Sequence, residues 1–228
     1  SVSRGLGDVY KRQTLATPFH PGPAGKGFPR RSSHVGQESR NPKKRKERER
    51  RMKLVIAEKK SVATAIAQAL CAAPVQRDGC YECGQLLVTW AQGHLIDLAM
   101  PEDYKDRDWR KWSLDTLPVD PSGHWQWKIS EERGAGSRYR QIVRLIRRTD
   151  VDCLVNACDP DREGEAIFRR IADMEGSHKP ELRLWVASLE AEAIQAAWRA
   201  MKPESEYQGL AWSAEIRSKA DWLIGMNA

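Results

Sequence analysis

Apolar residues in this chain gather into short runs and helical stripes from about position 52 onward, and are sparse before it. Residues 53-KLVIA-57 read as a buried strand, a short apolar run bounded by charge. Glu58, Lys59 and Lys60 follow, and Ser61 is the expected cap of a helix in which Val62, Ile66 and Ala69 share a face. Residues 86-LLVTW-90 predict a second strand, followed by Gly93 and His94. From Pro101 to Trp127 the pattern is irregular and contains Trp109, Trp112, Trp125 and Trp127. A stretch of this length is expected to be functional or packed by its own side chains. Residues 138–148 predict a helix with Ile142, Val143, Leu145 and Ile146 inward. Arg138, Arg140, Arg144, Arg147 and Arg148 crowd the rest of it, read as a solvated surface with a phosphate-binding face as the alternative. Then come a strand at 152-DCLVNACD-159, a helix from Gly164 to Met174, a strand at 182-LRLWVA-187, a helix from Glu190 to Met201, and a last helix from Tyr207 to about Ile224. Strands alternating with helices predict an α/β fold with a mostly parallel sheet flanked by helices.

Charge changes this picture only once it is located. The net charge of the 228 residues is +7, yet residues 1–51 hold 14 Lys and Arg against 4 Asp and Glu, and residues 52–228 hold 24 against 27. The basic segment ends in 43-KKRKERERR-51 and is rich in Gly, Pro and Ser. Such composition cannot bury enough apolar surface to offset ordering entropy. We read residues 1–51 as a disordered or non-native tail, with nucleic-acid binding or targeting as the alternative. Its opening 1-SVSRGLGDVYKRQ-13 resembles translated linker sequence, and Met52 is the expected start of the ordered pattern. No apolar stretch approaches the length of a membrane span. No signal-peptide core is seen, and five cysteines without disulfide-like spacing predict a reducing, cytoplasmic setting.

The chemistry centres on 158-CDPDREGEAI-167, where Asp159, Asp161, Glu163 and Glu165 crowd the end of a buried strand. Carboxylates this close repel unless something positive sits among them. In an open parallel sheet, functional groups collect beyond the carboxyl ends of the strands. Glu58 lies at one such end, and Asp159, Asp161 and Glu163 lie at another. The i, i+2 spacing lets Asp159 and Asp161 face one ion, and hard cations such as magnesium prefer oxygen ligands. The plain alternative is a capped helix start, whose acids suit the helix dipole.

Together, 56-IAEKKSVATAIAQAL-70 and 158-CDPDREGEAIF-168 resemble the Toprim domain of type IA DNA topoisomerases, and the topoisomerase III branch looks nearest. The stretches 79-GCYECGQLLVTWAQGHL-95 and 213-SAEIRSKADWLIGMN-227 extend the resemblance in the family's order. It implies a Rossmann-like Toprim domain over 52–200 and the start of a helical DNA-binding domain over 201–228. It implies Mg2+ on Asp159 and Asp161, with Glu163 and Glu58 contributing. Glu58 would act at the scissile phosphate as proton donor to the leaving 3′ oxygen, Lys59 would touch that phosphate, and Arg162 would be an ion-pair or phosphate partner. His94, Arg217 and Asp221 would lie near single-stranded DNA. The intact enzyme would be an ATP-independent isomerase that cleaves one strand, passes another and reseals. It would be a cytoplasmic monomer, with a helicase as its partner.

Two departures stand out. Lys60 occupies the place where the family usually has Pro, and none of Tyr10, Tyr81, Tyr104, Tyr139 and Tyr207 is followed by Pro-Arg, the context of the family's nucleophile. We therefore expect an N-terminal fragment that is inactive alone. The rivals are another Toprim enzyme, such as a primase or OLD-type nuclease, and a non-catalytic nucleic-acid-binding module. Cys80 and Cys83 form a single C-x-x-C and are expected to pack rather than bind zinc. Trp90, Trp185, Trp198 and Trp222 are expected in the core, with Trp109 and Trp112 better placed to stack on bases. His20, His34, His124 and His178 have no partners that suggest catalysis.

Overall fold

The computed structural model describes residues 51–105, 109–110 and 113–228. The basic tail with His20, His34 and Tyr10, and also Trp112, lie outside the described residues. The chain runs β1 (Met52–Ala57), α1 (Lys60–Leu70), β2 (Val75–Arg77), β3 (Cys80–Cys83), β4 (Leu86–Trp90), β5 (Ile96–Leu98) and β6 (Trp127–Ile129). It continues with α2 (Ala135–Ile146), β7 (Val151–Ala157), α3 (Arg162–Glu175), β8 (Glu181–Arg183), α4 (Ala191–Arg199), β9 (Lys202–Pro203) and α5 (Gln208–Asn227). One sheet has the order β2-β3-β4-β1-β7-β8-β9, and β5 and β6 form a separate pair. The inner strands β4, β1, β7 and β8 are parallel. The edges β2, β3 and β9 join antiparallel.

β1 lies at the centre because both its faces are apolar. Leu54 and Ile56 point into a core with Ile142 and Ile146 of α2 and Phe168 and Ile171 of α3. Val55 and Ala57 point the other way, into Ala63 and Ile66 of α1 and Ile194 of α4. Side chains alternate across a strand, so one continuous apolar run serves two helix layers. A third cluster forms where the irregular stretch wraps α5. Tyr104, Val119 and Trp222 are buried together, with Trp109, Trp125 and Trp127 packed against them. The Trp222 indole donates to Ala99 O at 3.1 Å, and Asn227 pairs with Val119 through both its amide ends. Trp109 is partly buried and meets Tyr104 edge-on at 5.3 Å.

Several local expectations are corrected. Ser61 does not cap α1: the cap position is Lys59, in extended conformation, without a side-chain cap bond. The strand connection to β4 continues past Ala57, since Gln92 N donates to Glu58 O at 2.7 Å, so the helix starts one residue before Ser61. The 182–187 strand is only three residues long. Beyond it, Leu184 N still donates to Asn156 O at 2.8 Å, while the Arg183 guanidinium donates to Cys158 O at 2.8 Å. Trp185 is not core; it is partly exposed and stacks on Tyr207 at 5.3 Å. Cys71 and Cys83 are joined by a disulfide, because the β3–β4 hairpin brings Cys83 beside the end of α1, whereas Cys80, Cys153 and Cys158 are free and buried. No helix among the described residues is long and apolar enough to cross a membrane.

The arginine helix is mixed rather than uniformly solvated. Arg147 pairs with Glu175 and Arg148 with Asp150, but Arg138 is buried. It donates to Trp90 O at 2.5 Å, to Gly79 O at 3.0 Å and to Thr89 Oγ1 at 2.7 Å, and lies over the Trp90 ring. Burial lowers its pKa to about 10. Arg138→Ala strands these acceptors, so we expect a loss of about 3 kcal/mol. A urea midpoint shifted at unchanged slope would check it. A change within about 0.5 kcal/mol would place this arginine among ordinary surface residues.

Candidate functional site

β1 and β7 are neighbours in the sheet, with Ala57 opposite Ala157. The residues that follow them therefore emerge side by side at the carboxyl edge. Glu58 follows β1, held by its carbonyl to Gln92. Cys158 follows β7, its amide donating to Asn156 Oδ1 at 3.0 Å. The loop then turns back on itself, as Asp161 N donates to Asp159 O at 2.8 Å. Asp161 caps α3, its Oδ1 accepting from Gly164 N at 2.8 Å. Gly164 makes the turn sterically feasible. A Cβ there would lie 2.1 Å from Asp159 O and 2.8 Å from Asp159 N. A non-glycine residue would push the loop off the helix.

The Lys59 ammonium lies between the two strand ends, 2.9 Å from Asp159 Oδ2 and 3.1 Å from Glu58 Oε1. The hydrogen bond to Asp159, then that to Glu58, holds the ammonium above the usual lysine range. Arg162 is exposed and reaches Glu163 at 3.6 Å rather than the aspartates. His94 Nε2 lies 3.8 Å from Glu163, and its other nitrogen is 3.5 Å from Arg170, which donates to Ser218 of α5. The structure thus joins Glu58, Lys59 and Asp159 directly, and carries Asp161, Arg162, Glu163 and His94 on the same loop and its neighbours. Arg217 and Asp221 are elsewhere on α5, exposed and paired with each other at 3.3 Å.

Beneath the loop is a buried polar network that the sequence reading missed. Arg183 is fully buried, donates to Cys158 O and Asp159 O at 2.8 Å each, and lies 2.6 Å from Glu165 Oε1. Asn156 donates to Glu165 and Glu204, and Arg169 approaches Glu204 at 3.3 Å. Burial pushes the Glu165 carboxyl up, and its bond with Glu204 adds to this against the pull of Arg183. One signal was available: Arg183 interrupts the apolar run 182-LRLWVA-187, and a charge inside a buried strand needs partners.

Among the described residues, no three His, Cys, Asp or Glu side chains already form a metal cage. Magnesium does not need one. It uses one or two carboxylates and keeps water and phosphate oxygens for its remaining positions. Asp159 and Asp161, flanked by Glu58 and Glu163, are all hard oxygen donors, so the donor set suits that ion.

The Toprim domain family matches residues 53–189, from β1 to just before α4. The chain belongs to the Toprim domain family. A DNA topoisomerase 3 of Staphylococcus aureus strain USA300 is 38% identical over 175 residues, 77% of this chain and 24% of that protein. A putative DNA topoisomerase 3 of the bovine strain RF122 / ET3-1 matches with the same identity and coverage. The chain therefore spans about a quarter of the length of these relatives. Full-length topoisomerase I from Thermotoga maritima is similar with a TM-score of 0.47 and 18% identity, over 75% of this chain and 24% of that one. Within the Toprim match, Lys60 is the first residue of α1. Proline suits that first helical position as well, so the departure from the family's usual proline leaves the helix start intact.

Proposed function

We propose that this chain is the metal- and phosphate-binding Toprim portion of a type IA topoisomerase of the topoisomerase III kind. The convergence of Glu58 and Asp159 on one ammonium, at the ends of two adjacent parallel strands, carries this reading. The Toprim part spans 52–200, and 201–228 begins a helical DNA-binding part. The partner is DNA with a single-stranded region, and the intact enzyme works as a cytoplasmic monomer alongside a helicase.

In this reading Asp159 and Asp161 would hold Mg2+, with Glu163 and Glu58 beside them. When bound, the ion supplies charge neutralisation at the phosphodiester oxygens. Glu58, only slightly exposed, presents its carboxyl to protonate the leaving 3′ oxygen. Lys59 pairs with a phosphate oxygen, and Arg162, exposed at the start of α3, adds a second cation near it. His94 orients Glu163, and Arg217 with Asp221 lies along the path of the strand. The attacking tyrosine would come from outside this chain, so alone it is not expected to relax supercoiled DNA or form a covalent adduct.

The reading predicts how DNA affinity responds to the ion. At constant ionic strength, added Mg2+ should tighten binding of a single-stranded oligonucleotide to the full chain, read by fluorescence anisotropy. Without a dedicated site, a divalent cation only competes with basic residues for phosphate and weakens binding. The tightening should vanish in Asp159→Asn/Asp161→Asn. Identical responses in the two proteins would refute the assignment.

A further inference from the structure

Lys59 stands where the carboxylates most need a positive charge, and this has a consequence for the metal. We propose that the Lys59 ammonium and a divalent cation compete for Glu58 and Asp159, so that metal binding frees Lys59 for a phosphate oxygen. The inference rests on the function proposed above and deepens it.

The two acids cannot easily spread to admit both cations. The Glu58 carbonyl is fixed by Gln92 N at 2.7 Å, and the Asp159 carbonyl by Arg183 and by Asp161 N at 2.8 Å each. Their carboxylates converge from adjacent strands on one ammonium, 3.1 and 2.9 Å away. A second cation at the same oxygens would meet like-charge repulsion. Lys59, by contrast, can move. Its side chain is 58% exposed on a flexible stem, so swinging outward costs little desolvation. Without metal, the ammonium neutralises the acids and leaves them poised. With metal, the same ammonium faces solvent, where a phosphate would arrive. Metal and phosphate would then bind with positive coupling, each favouring the arrangement the other needs.

Lys60 supplies the control. It is the next residue and carries the same charge, but its ammonium lies over the Trp90 ring, 5.5 Å from the centroid. Removing either lysine lowers the local positive charge equally, yet only Lys59 occupies the acids.

The test is calorimetric titration of Mg2+ into the full chain as wild type, Lys59→Met, Lys60→Met and Asp159→Asn/Asp161→Asn. Lys59→Gln serves as a second variant, and circular dichroism confirms folding. Lys59→Met and Lys59→Gln should bind Mg2+ about fivefold tighter than wild type, the order expected for two partly exposed ion pairs. Lys60→Met should stay within about twofold of wild type. A silent wild type with a binding Lys59→Met also supports the competition. If wild type binds but the Lys59 variants bind no tighter, the inference fails and the function stands. Equal tightening by Lys60→Met overturns it too, as a general charge effect. If neither wild type nor Lys59→Met exceeds the double aspartate variant, the proposed metal function itself fails.

Discussion

Gly164→Ala is expected to destabilise the protein by about 3 kcal/mol or more, although alanine is the better helix former. The residue is third in α3, where replacing glycine should favour the helix by about 1 kcal/mol on propensity alone. The added methyl, however, would lie 2.1 Å from Asp159 O. That atom belongs to the backbone and accepts from Arg183 and Asp161 N, so it cannot move aside as a flexible side chain would. Overpacking of this kind costs about 1–3 kcal/mol and sometimes more. The sign decides between the two effects. A urea midpoint that falls would confirm the close approach, and one that rises would deny it. The change should also displace Asp159 and weaken whatever the loop binds.

Arg183→Ala is the second large effect. The substitution removes the Arg183 donor from the Cys158 carbonyl, leaves the Asp159 carbonyl with Asp161 N, and leaves Glu165 facing Glu204 with the Asn156 amide at 3.3 Å and Arg169 at 3.9 Å. Breaking a buried pair by removing one partner costs about 3–5 kcal/mol. Replacing both partners by apolar groups is much less costly, so Arg183→Met/Glu165→Leu should be more stable than Arg183→Ala. Denaturant melts of the single, the double and the wild type measure this. A double variant less stable than the single would show that the network's stability does not come from charge pairing.

Both predictions concern residues that the sequence reading passed over or placed only loosely, and the reason is geometric. The central strands were legible because they are apolar on both faces, and the acids were legible because they stand at strand ends. Gly164 stands at the start of the expected helix, but its contact partner depends on the loop doubling back. Arg183 contacts residues up to 27 positions away, so its role appears only once β7 and β8 pair. Arg138 is read among the solvated arginines, although by spacing it shares a helical face with Ile142 and Leu145, and that face is buried. The β2–β3 hairpin was missed because β2 is three exposed residues. The Cys71–Cys83 bond depends on the next hairpin, β3–β4. Trp125 of the irregular stretch meets Trp222, about a hundred residues on, which no local pattern announces.

The central claim is that the acids of 158-CDPDREGEAI-167, with Glu58, form a site for a hard divalent cation. The most direct measurement is calorimetric titration of Mg2+ into the folded wild-type chain and into Asp159→Asn/Asp161→Asn. The account predicts saturable binding by the wild type and loss of about tenfold or more in affinity for the variant, since two charged ligands are neutralised. Equal binding by both proteins, or none by either even when Lys59 is replaced by Met, would contradict it.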